Sequence, residues 1–117
     1  MILSHLSNPL QALYSASRLC TGAMLVTNQT MDDARPLGAF IPSPENGERM
    51  AWWGFSNGLI TQMLAILGFE VKRTTTCMAQ CLVQGRVGEE KCTAFVAERL
   101  AGAGCRDEPA LFRAEAD

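Results

Sequence analysis

His5 is the only histidine of the chain, and an imidazole is the side chain whose ordinary pKa lets it take or give a proton near neutral pH. It opens the stretch HLSNPLQAL, residues 5–13. Two readings stay open: a general base at a site, or a ring satisfying hydrogen bonds at a strand end, since no base partner is visible beside it. The other groups able to bind metal or act as nucleophiles are Cys20, Cys77, Cys81, Cys92 and Cys105. Cys77 and Cys81, four apart in CMAQC, share a face on a helix or a strand and could begin a metal site. Zinc would need two further ligands, and the remaining cysteines with one histidine form no second half. The thiols therefore read as small buried apolar side chains, and we assign no metal. Their odd count and loose spacing predict reduced thiols rather than a disulfide framework. The third group is aromatic: Trp52, Trp53 and Phe55 in MAWWGFS, residues 50–56. Rings at that density are costly to leave in water, so they either pin their segment to the core or wall a ligand pocket.

These residues must be positioned by a modest chain. With 117 residues, 48% hydrophobic and 19% charged, it has material for one domain or part of one. A formal charge of −2 with scattered basic residues shows no nucleic-acid patch. No apolar run reaches the roughly 20 residues of a membrane span, and the first residues lack a secretory pattern, which predicts a cytoplasmic protein with no membrane association.

Asn8 can cap a helix and Pro9 suits its first position, where no amide donor is needed. Leu10, Leu13, Tyr14 and Ser17 then mark one face of a helix over about residues 9–20, closed by Thr21 and Gly22. AMLVT, residues 23–27, is a short unbroken apolar run that suits a strand buried on both faces. From Asn28 to Phe55 prolines, glycines and aspartates break the pattern, which predicts a long functional loop. Ser56 can cap a second helix with Leu59, Ile60, Met63, Leu64 and Leu67 on one stripe. Gly68 stops it, and LGFEVKR turns into a strand with Phe69, Val71 and Arg73 on one side. CMAQCLVQG, residues 77–85, and CTAFVAE, residues 92–98, read as an antiparallel hairpin around the polar turn RVGEEK. Residues 101–117 read as a weakly structured tail.

This order of elements resembles the C-terminal half of a class I S-adenosylmethionine-dependent methyltransferase, whose doubly wound, Rossmann-like α/β sheet ends in an antiparallel last strand. ILSHLSNPLQAL is similar to the end of that family's fourth strand and the start of the next helix. GAMLVTNQT is similar to its fifth strand, and WWGFSNGLITQMLAILGFEV to its aromatic, serine-capped helix leading by Gly-Phe into the sixth. Within the family the likeness is to the group that includes the tRNA wobble-uridine carboxymethyltransferases. It covers about residues 2–98.

The resemblance implies a partial methyltransferase-like domain over residues 1–100, with the segment 28–55 as substrate lid or wall. The first strands, with the glycine-rich turn and the acidic residue that hold S-adenosylmethionine, lie outside this sequence, so the cofactor site is partial. It also implies that Ser4, His5 and Leu6 lie beside the transferable methyl, with His5 orienting the acceptor or removing its proton. Asn28 would face the same cleft, because ligands in open α/β sheets gather at the carboxyl ends of strands. Trp52, Trp53 and Phe55 would wall the acceptor, a small molecule or a modified base. A sheet cut there exposes an edge and predicts self-association, as a homodimer or with a partner. The alternative is a non-catalytic methyltransferase-like module used for interaction or dimerisation.

Overall fold

The computed structural model describes residues 3–45, 51–83 and 85–101. The tail read at residues 101–117, Cys105 with it, lies outside the described residues beyond Ala101, as does the side chain of Cys81. The described chain is a mixed α/β structure: two helices and two three-stranded sheets.

Helix α1, Pro9–Ser17, begins as its residues dictate. The Asn8 side chain accepts from the Gln11 amide at 3.1 Å, and Pro9 occupies the first turn. It stops three residues short of the predicted end. Leu19 and Cys20 donate to Ala16 and Ser17 carbonyls three residues back, so the chain tightens into a closing turn. Helix α2, Asn57–Ile66, is capped by Ser56, whose hydroxyl accepts from the Leu59 amide at 3.1 Å. Gly68, at φ 89, turns the chain out of it into the next strand.

The first sheet has the order β1-β6-β5, from Ala23–Asn28, Arg86–Arg99 and Phe69–Val83. Strand β6 is antiparallel to both neighbours, so β1 and β5 run the same way with the last strand inserted between them. Leu13 of α1 and Ile60 and Leu64 of α2 share one core with Val26, Phe69, Phe95 and Ala97 of the sheet. Both helices therefore cover the same sheet face.

That arrangement corrects three expectations. Strand β1 is not buried on both faces: Val26 and Asn28 point into the core, but Leu25 is 67% exposed because neither helix covers its side. The turn of the hairpin is not RVGEEK. Val83 pairs with Arg86, and Gly85, at φ 75, supplies the left-handed residue that a two-residue hairpin connection needs. The charged residues 86–91 are the first part of β6. Arg73 does not share a side with Val71, because a bulge at this point makes Val71 pair with Ala97 and Arg73 with Val96, on opposite faces.

The described part of the segment from Asn28 to Phe55 is also more regular than a loop. It forms a second sheet of order β2-β4-β3, with β2 at Thr30–Met31, β3 at Gly38–Phe40 and β4 at Trp53–Ser56. Strand β4 runs parallel to β2 and antiparallel to β3. Strands of two to four residues carry almost no periodicity, so only their tertiary pairing reveals them.

The cysteines divide. Cys92 is buried, Cys77 opposite it on the ladder is half-buried, and both carry thiols.

Arg99 fastens the first helix to this frame. Its guanidinium lies 4.4 Å from the Phe69 ring centroid and donates to the Cys20 carbonyl at 2.7 Å and 3.0 Å and to the Ser17 carbonyl at 2.7 Å. A lysine cannot reproduce this fork. Arg99→Lys is expected to lower stability by about 1–2 kcal/mol, read as a fall in the urea midpoint. An unchanged midpoint would mean that α1 is held by its apolar face alone.

Candidate functional site

The segment expected beside the chemistry is a 3-10 turn, Leu3–His5, rather than a strand end. His5 is exposed at its close, and Ser4 and Leu6 are half-buried. The turn closes through the Leu6 amide, which donates to the Leu3 carbonyl at 3.2 Å, so residues 3–6 curl instead of extending. The Trp52 amide donates to the Ser4 carbonyl at 2.6 Å, and the Trp53 indole Nε1 donates to the Ser7 carbonyl at 3.1 Å. Two bonds thus bring the histidine segment and the tryptophan strand together across the chain.

Beside that junction opens a cleft of about 230 Å³. Residues 7–10 at the start of α1 form one side, Leu59 and Met63 of α2 the other, with Gly38 of β3 and Trp53 and Phe55 of β4 between them. Phe55 is 1% exposed and belongs to the core as well as to the cleft wall. The two readings of this ring are therefore one: it packs and it lines. Trp53 lines the cleft and takes the edge of the Phe40 ring at a centroid distance of 5.3 Å. Trp52 is 42% exposed and outside the lining.

Asn28 does not line the cleft; it is fully buried in a polar knot at the carboxyl end of β1. Its Nδ2 donates to the Gln29 carbonyl at 2.9 Å, while its Oδ1 is buried with no hydrogen-bond partner. Nearby the Thr30 hydroxyl bonds the Asn57 Oδ1 and meets the Thr93 hydroxyl at 2.8 Å. Asn57 Nδ2 donates to Asp32 Oδ1 at 3.2 Å. These bonds tie Thr30, two residues past β1, to the start of α2 and to β6.

A second, wider concavity of about 410 Å³ lies between Ala34 and α2, lined by Asn57, Gly58, Thr61, Gln62 and Ala65. The nearby Asp33 carboxylate is half-buried and held below its ordinary pKa by the Arg35 side chain, then by the Arg35 amide. None of the residues expected at the site lines this concavity.

Among the described residues no group of three or more His, Cys, Asp or Glu is placed to hold a metal. Among them also no helix is long and apolar enough to cross a membrane. Gly38, Leu59, Met63 and residues 7–10 were not singled out from sequence as lining. Leu59 and Met63 carried only a helix-stripe signal, and the groove they leave exists only once β3 and β4 pack across them.

Comparison with protein families, with curated proteins and with solved structures returns no match to this chain.

Proposed function

We propose that this chain is the acceptor-side part of an S-adenosylmethionine-dependent methyltransferase fold, the C-terminal part of a Rossmann-like sheet. One observation carries the reading. Two parallel strands, β1 and β5, are joined through α2 and hold an antiparallel last strand between them, directly after a helix that begins at Asn-Pro.

The residues present fit the cofactor only at its methyl end. Residues 4–6 offer an exposed imidazole and a short curled backbone, while the glycine-rich turn and ribose-binding acid are not in the sequence. When bound, the cofactor supplies an electrophilic methyl on a sulfonium. His5, which with Ser4 and Leu6 lies outside the lining of the cleft, would take the acceptor's proton, and Trp53 and Phe55 would keep water from the acceptor side.

Nuclear magnetic resonance titration of the labelled chain with S-adenosylmethionine tests this. The expected result is weak, saturable shifts at residues 4–6, with an affinity on the order of 1 mM, since most of the cofactor's contacts are missing. No response to about 10 mM would remove the enzyme reading. A non-catalytic interaction module would then stand, favoured by the exposed Leu25 on the edge strand β1 of the first sheet.

A further inference from the structure

The cleft beside Trp53 has a size and a lining that select a chemical class. A dry apolar cavity of roughly 150 Å³ accepts benzene. The cleft here holds about 230 Å³, enough for one six-membered ring with a few substituent atoms. Its walls are mostly carbon with one thioether, from Pro9, Leu10, Phe55, Leu59, Met63 and Trp53. Polar groups occur only toward the start of α1. There the Asn8 carboxamide oxygen is already committed to the Gln11 amide, and the Trp53 Nε1 to the Ser7 carbonyl. That leaves the exposed Ser7 hydroxyl and the Asn8 Nδ2 amide, neighbours at one end of the cleft, to meet a polar substituent.

We propose that this cleft is the subsite for a single aromatic ring bearing one hydroxyl, a phenol, and not for a pyrimidine base. A uracil ring brings one N–H and two carbonyls into the same space, and each unmet group weakens binding by about tenfold. The phenol's role as methyl acceptor rests on the methyltransferase reading. With that cofactor bound, the phenol oxygen would bond the methyl carbon as the carbon–sulfur bond breaks, S-adenosylhomocysteine would leave, and the phenolic proton would pass through water to His5, which lies outside the cleft lining.

The test is titration of the labelled full chain with p-cresol and, separately, with uridine, reading the Trp53 indole N–H and the methyls of Leu59 and Met63. Saturable p-cresol shifts at these positions are expected, with an affinity on the order of 1 mM and uridine at least about tenfold weaker. Gly38→Val should abolish the p-cresol response, because a Cβ at Gly38 already lies 3.1 Å from Leu59 Cδ2 and the branch fills the cleft. Met63→Ala, which adds no atoms, should weaken p-cresol about threefold through the lost sulfur–ring contact. A uridine response as strong as that of p-cresol overturns the proposal. So do p-cresol shifts centred on Leu19 and Leu25 instead of the cleft. A p-cresol response at the cleft in a chain that ignores S-adenosylmethionine overturns the acceptor role alone and leaves the ring site standing.

Discussion

Gly58→Ala is expected to lower stability by about 3 kcal/mol or more, although alanine at an ordinary helix position would raise it by about 1 kcal/mol. Gly58 is the second residue of α2. A Cβ there would come within 2.5 Å of the Ala34 carbonyl carbon and 2.7 Å of the Arg35 carbonyl carbon. Both are backbone atoms and cannot swing aside like a side-chain end. The Gly58 amide also donates to the Asp33 carbonyl at 3.0 Å, so the segments cannot part without losing that bond. The melting temperature should fall by more than about 10 °C in a domain of this size. Gly58→Ser should fall with it, because the Cβ and not its substituent is the cause. A melting temperature unchanged in both variants would mean that residues 33–35 do not pack on α2.

The second large effect is expected at Phe95. It is fully buried on the central strand β6, with Val26 opposite on one side and Thr74 on the other. It packs in the core that joins both helices to the sheet. Phe95→Ala is expected to cost about 3–5 kcal/mol, a large fraction of the 5–15 kcal/mol typical of a whole domain. In urea the midpoint should drop sharply while the dependence on denaturant stays unchanged. Phe40→Ala is the control: that ring is 58% exposed, and its loss should cost no more than about 1 kcal/mol. Equal effects from the two would place the core elsewhere.

The candidate site shows the same division between what short-range chemistry makes legible and what it hides. Both helix starts are written in their residues. Asn8 reaches Gln11 and Ser56 reaches Leu59, each three residues on, so the capping bond forms whatever the rest of the chain does. Gly68 and the apolar stripe of α2 are legible for the same reason. The hairpin is legible from its two arms but its turn is not, because a charged run has the composition of a loop while a single glycine with positive φ decides the reversal. Of the expected site residues, Trp53 and Phe55 meet at the cleft, whereas Asn28 lies in a buried knot and Trp52 faces outward.

By itself the sequence determined the local events: where both helices begin, the glycine that ends α2, and that residues 23–27 and the two arms of the last hairpin extend. Tertiary structure alone decided which sheet face the helices cover, that β6 lies between β1 and β5, and that Thr30–Met31, Gly38–Phe40 and Trp53–Ser56 pair into a second sheet. It also decided that a cleft exists. The bonds responsible join residues far apart in the chain: Trp53 to Ser7 across 46 positions, Arg99 to Ser17 across 82. Capping and turn chemistry act over three or four residues and are readable along the chain. A bond across 46 or 82 positions forms only after the chain has folded, so no spacing in the sequence announces it.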